Sequence, residues 1–192
     1  MTRRFVLCGC LCLLWTGAGC DGDPEDAPPL GPLRLVNPFD WSPLAAADDP
    51  FAAHRPADVT CPDDSWGGEP FGAAYSLEIQ TGDGQCHWFS AAQPIQGRLA
   101  AGDPIRIRVW HFDLFADERG EAHVALAIGG VILWERRVVI PSPGGLLLDT
   151  VEAPRAWSAG TPLVFHLHNH GANTWNLVEV VARPDAGDAG PP

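Results

Sequence analysis

Residues 163–175 read Leu-Val-Phe-His-Leu-His-Asn-His-Gly-Ala-Asn-Thr-Trp. In an extended chain successive side chains point to opposite sides. Leu163, Phe165, Leu167 and Asn169 then share one side, and Val164, His166, His168 and His170 share the other. The spacing predicts a strand with one apolar face and one imidazole face, closed by Gly171-Ala-Asn-Thr174 as a loop. The same period of two recurs upstream. Tyr75, Leu77 and Ile79 alternate with Ser76, Glu78 and Gln80. Within Ile105–Phe115, Ile105, Ile107, Val109 and His111 alternate with Arg106, Arg108, Trp110 and Phe112. Ala122–Ile128 and Val131–Ile140 flank Gly129-Gly130, a two-residue loop suited to the primed turns that match strand twist. In that register Ile128 faces Val131, Leu126 faces Leu133 and His123 faces Arg136.

Cys86–Ala91, Ile95–Leu99, Leu146–Val151 and Trp175–Ala182 bring the total to about eight strands, with turn signals at regular spacing and no helical period. The fold class is therefore all-β, a single jelly-roll-like β-sandwich. The sandwich is expected over residues 56–182. Residues 20–55 are expected to be an acidic, proline-rich tether followed by a partly packed segment with a short helical turn near Leu44–Ala47. Residues 183–192 are expected to be a disordered tail.

The N-terminus has an address of its own. Arg3 and Arg4 precede an apolar run, Phe5–Trp15, that is too short to span a bilayer. Gly17-Ala18-Gly19-Cys20 follows and resembles the lipobox of bacterial lipoproteins, whose family pattern has Leu where Gly17 stands. The resemblance implies that residues 1–19 are a signal peptide, that Cys20 carries lipid, and that the protein is held by that lipid to a membrane of the cell envelope. The membrane is either the outer one or the periplasmic face of the inner one.

Of six cysteines, Cys8, Cys10 and Cys12 would leave with such a signal, and Cys20 is the one the resemblance marks for lipid. An exported chain then pairs the two that remain, Cys61 and Cys86. The net charge is -12 and all twelve basic residues are Arg. Such a surface repels nucleic acid.

The imidazole face is where chemistry is expected. His166 and His168, two residues apart on a strand, project together, which is a recurrent spacing for metal ligands. With His170, and with His111, His87 or His123 as a further ligand, they nominate a Zn or Cu site. Asp63-Asp64 and Asp83 leave Ca²⁺ open at a sandwich edge. The absence of GxSxG argues against a serine hydrolase; the lack of His after Gly171, of a Glu where Ala172 and Asn173 stand, and of a Cys after Cys86 argues in turn against superoxide dismutase, cupin and blue-copper chemistry. No catalytic residue is nominated and no cofactor is required.

Six tryptophans lie between Trp66 and Trp175, and flat indole faces beside Asn and Asp are suited to stacking on sugar rings. Gly171-Ala-Asn173-Thr-Trp175-Asn176, followed by an apolar last strand, resembles the end of galactose-binding-like carbohydrate-binding modules. The resemblance implies a ligand site at Asn173, Trp175 and Asn176. The expectation is a binding module for a carbohydrate or another small polar ligand, rather than an enzyme. A metal-binding or metal-dependent protein acting through His166, His168 and His170 is the first alternative. A structural envelope subunit that binds another protein is the second.

Overall fold

The computed structural model describes residues 31–183. The signal, Cys20, the acidic part of the tether and the tail beyond Arg183 lie outside the described residues. Within them eleven strands form: β1 (Leu33–Arg34), β2 (Ser42–Pro43), β3 (Trp66–Phe71), β4 (Ala74–Thr81), β5 (Trp88–Pro94), β6 (Pro104–His111), β7 (Gly120–Ile128), β8 (Val131–Ile140), β9 (Gly145–Glu152), β10 (Pro162–His168) and β11 (Asn173–Ala182). Only short 3-10 turns, Ala52–His54 and Asp63–Ser65, interrupt them among the described residues. No described helix is long and apolar enough to cross a membrane.

One sheet runs β3-β4-β11-β6-β9, with β1 against the far end of β11; the other runs β2-β5-β10-β7-β8. Every pairing is antiparallel. The chain passes repeatedly from one sheet to the other, the winding of a jelly roll. The all-β sandwich expected from the alternation is the observed fold.

The core lies between the sheets. Leu163, Phe165 and Leu167 enter it from β10, opposite Ile105, Ile107 and Val109 from β6 and Trp175, Leu177 and Val180 from β11. The two faces assigned to residues 163–170 are thus correct. Cys61 and Cys86 are disulfide-bonded.

Two expectations are corrected. First, the Gly129-Gly130 turn pairs Ile128 with Val131, but a bulge then shifts the register, so Leu126 faces Trp134 and His123 faces Arg137. Strict alternation after Val131 would send Glu135 and Arg137 into the core. The bulge turns Trp134, Val138 and Ile140 inward instead and leaves those charges outside. Second, Ile95–Leu99 is not a strand: Ile95 and Leu99 are buried at its two ends, but Ile95 N–H donates to Thr161 O, Leu99 forms only a bridge to Trp157, and Gln96 and Arg98 are exposed. Residues 33–55 pack along the domain. Leu35, Trp41 and Phe51 are buried, and β1 and β2 each extend a sheet. A single hydrogen-bonded turn spans Ala45–Asp48, closed by Asp48 N–H donating to Ala45 O. At the other end Arg183 is fixed by an ion pair to Asp103 at 2.6 Å.

Candidate functional site

The loops at one end of the sandwich, where β11 begins, enclose a wide cleft of about 1340 Å³. Gly82 and Asp83 come from the β4–β5 loop, which the disulfide pins at Cys86. Phe115 to Arg119 come from the β6–β7 loop, Gly120 and Glu121 from the start of β7, and His170 to Ala172 from the β10–β11 loop. The loops are tied to one another. Phe115 and Ala172 exchange two backbone hydrogen bonds, Ala172 N–H to Phe115 O at 2.7 Å and Phe115 N–H to Ala172 O at 3.1 Å. Phe115 itself is 58% exposed. Around it stand the carboxylates Asp83, Asp117, Glu118 and Glu121, the imidazoles His87 and His170, and one guanidinium, Arg119.

A second cavity of about 280 Å³ adjoins the first through His170 and Glu121, which line both. Its other walls are Phe51, His54, Trp88, His123, Arg137, His166 and His168. It sits on the outer face of the β5-β10-β7 sheet, where the even-numbered residues of β10 point.

The register explains the clustering. His168 lies directly between Trp88 of β5 and His123 of β7, and His166 between Ser90 and Ala125. The segment before β3 then crosses over this face. Phe51 stacks on His166 with ring centroids 4.3 Å apart and planes 14° apart. Asp49 accepts from Trp88 Nε1 and from Phe51 N–H, each at 2.9 Å. The strap seals His166 completely, at 0% exposure, so the imidazole face is only partly the open rim expected.

His166 is held on one side and unsatisfied on the other. Nδ1 shares a 2.8 Å hydrogen bond with Ser90 Oγ, while Nε2 is buried without a partner. Burial, then the neighbouring His123 and His168, lowers its pKa to about 3. His168 is lowered to about 4, first by burial, then by His170, His123, Arg137 and His87. Both rings are neutral at pH 7 and keep their lone pairs. His123 Nε2 lies 3.0 Å from Glu135 Oε2, and Glu121 pairs with Arg137 at 2.6 Å.

The sequence-nominated residues divide sharply. His166, His168 and His170 are brought together, and His123 joins them. His111 does not. It is on β6, inward-facing, packed on Trp175 at 4.7 Å with Nδ1 against Phe112 O, in the other sheet. Trp175 is 0% exposed and fills the core, so neither indole face is available to a ligand. Asn176 is equally buried, accepting from Ser76 Oγ at 2.9 Å. Asn173 has φ 122° and donates from Nδ2 to Asp113 O at 2.6 Å, while its Oδ1 accepts from Thr174 N–H. Its side chain shapes the loop. Parity is the reason for the mismatch: Trp175 and Asn176 are consecutive strand residues and cannot face one site together.

Asp63 and Asp64 sit in a 3-10 turn, and Asp83 is in the cleft. Among the described residues no group of three or more His, Cys, Asp or Glu is placed to hold a metal ion as it stands. Phe115, Asp117, Glu118 and Glu121 were not singled out in the sequence. The available signal was an aromatic followed by a charged run ending in Gly120.

No family model matches the chain, and no curated protein matches it. Among solved structures it is similar to a carbohydrate-binding module studied for specific mannan recognition, at 7% identity and TM-score 0.47, covering 80% of this chain and 95% of that one. It is also similar to the family 11 carbohydrate-binding module from Clostridium thermocellum in complex with a β-1,3-1,4-mixed-linked tetrasaccharide, at 9% identity and TM-score 0.44, over 81% and 98%. An insecticidal crystal protein is similar at 13% identity and TM-score 0.38, over 71% of this chain and 20% of that one.

Proposed function

We propose that this protein is an exported, lipid-anchored envelope lipoprotein whose sandwich is a binding module, and that its ligand is a neutral carbohydrate held in the Phe115 cleft. One observation carries the ligand reading: an exposed aromatic ring stands in a wide polar cleft among carboxylates and imidazoles. A sugar ring has an apolar C–H face that stacks on an aromatic and a rim of hydroxyls that donate to carboxylates. Four carboxylates against one guanidinium disfavour an anionic sugar.

Calorimetric titration of the full chain against neutral and uronic-acid oligosaccharides tests it. Saturable binding to a neutral glycan is expected, with Phe115→Ala weakening it about ten-fold and leaving the unfolding midpoint in place. Binding that survives Phe115→Ala unchanged sinks the assignment. The anchor reading rests on Gly17-Ala18-Gly19-Cys20. Cys20→Ala is expected to move the protein from the membrane to the soluble envelope fraction; retention at the membrane contradicts it.

A further inference from the structure

We propose that His123, His166 and His168 form a site for a first-row divalent transition metal, Zn²⁺ or Cu²⁺ in class, on the outer face of the β5-β10-β7 sheet. The proposal does not rest on the carbohydrate reading. It starts from register. His168 and His123 are cross-strand partners, and His166 follows on the same face two residues earlier. Two residues of one strand and one of its neighbour therefore present three imidazoles to one cavity. The His123 and His166 ring centroids are 5.3 Å apart. Two imidazoles on one tetrahedral metal at the usual metal–nitrogen distance place their centroids roughly 5 Å apart.

The second observation is independent of that spacing. His166 is fully buried, lines the cavity, and has no partner for Nε2. Buried polar atoms are almost always satisfied, so an orphaned nitrogen beside two more imidazoles points to a ligand. A lone hydrogen-bond donor would satisfy Nε2 alone; a metal uses all three rings. The supports around the ligands also fit. Ser90 Oγ engages His166 Nδ1, and Glu135 engages His123 Nε2, leaving His123 Nδ1 for the metal. Second partners of this kind orient metal-binding histidines.

Ring rotations close the site, because the three donors do not yet converge. His168 is partly exposed, and the His123 side chain is 16% exposed, so both have room to turn. His170 lies 4.3 Å from His168 by ring centroids and, with Glu121, forms the wall shared with the larger cleft. A metal here has its open side toward that wall. Imidazole donors select a borderline transition ion over Ca²⁺ or Mg²⁺.

The test is a Zn²⁺ titration of the chelator-treated full chain with its free thiols alkylated, repeated with Co²⁺ to read coordination from its visible bands. One equivalent is expected, with a nitrogen-ligated tetrahedral Co²⁺ spectrum. His123→Gln and His168→Gln are each expected to weaken binding at least about 100-fold. His111→Gln, in the other sheet, leaves it unchanged. His166→Gln alters a sealed position where folding can fail, so the two part-exposed histidines decide the outcome, with tryptophan fluorescence confirming that each variant is folded. Absence of a saturable single site overturns the proposal, and so does parent-like affinity in folded His123→Gln or His168→Gln.

Discussion

Gly171 has no room for a side chain. A Cβ there would lie 2.6 Å from Phe115 O and 2.8 Å from Ile140 Cγ2. Gly171→Ala must push the cleft loops apart, so a loss of about 1–3 kcal/mol in denaturant unfolding is expected, together with weaker ligand binding. Trp175→Ala is expected to remove about 3–5 kcal/mol of stability, because the indole is core rather than contact surface. A Trp175→Phe variant that unfolds no earlier than the parent but loses the ligand would contradict that placement.

The imidazoles set a pH dependence. His166 and His168 titrate lower folded than in the free chain, so between about pH 6.5 and their folded values the unfolded state binds more protons. Stability is fully present above about pH 6.5 and falls as acid is added toward pH 4. The thermal midpoint is expected to drop across that window, and less steeply in His168→Gln. A midpoint that rises on acidification would reverse the assigned sign.

At the scale of elements, Cys61–Cys86 fixes the loop that enters the cleft at Asp83 and His87. The residues are 25 apart in sequence, and loop entropy alone assigns the bond about 3.5 kcal/mol. Reduction is expected to lower the unfolding midpoint and weaken ligand binding together; binding that ignores reduction would separate this loop from the site.

Elements were legible where alternation was strong and local. β4, β6, β8, β9, β10 and β11 follow from their own side chains, because a half-buried strand writes its two faces into sequence. β3 was not legible. Trp66-Gly-Gly-Glu-Pro-Phe71 has poor strand formers and exists because β4 offers it an edge. The bulge in β8 was hidden for a related reason: it is chosen by which residues the opposite sheet can bury. The strap over His166 was also invisible. Nothing local to Asp49 or Phe51 names Trp88 and His166 as partners, yet those contacts turn an open imidazole face into a walled cavity. The site was thus half legible, with the histidine face foreseen and the cleft loops missed, since loop side chains carry no period.

For the whole molecule, charge and direction matter most. The chain carries -12, a balance that repels polyanions. β11 runs from Asn173 at the cleft to Ala182 beside Leu33, ten residues and roughly 30 Å. Arg183 Nε reaches Gly31 O, so the chain enters at the end opposite the cleft. Trp110 and the exposed Phe112, Leu146 and Leu148 offer a rival apolar surface outside the β6-β9 edge. Amide NMR distinguishes the two in one experiment, by titrating the protein with the neutral oligosaccharide that binds it best. The cleft account predicts shifts concentrated at Asp83, His87, Phe115 to Glu121 and His170 to Ala172. Shifts centred on Trp110, Leu146 and Leu148, or no shifts with any glycan, would contradict it.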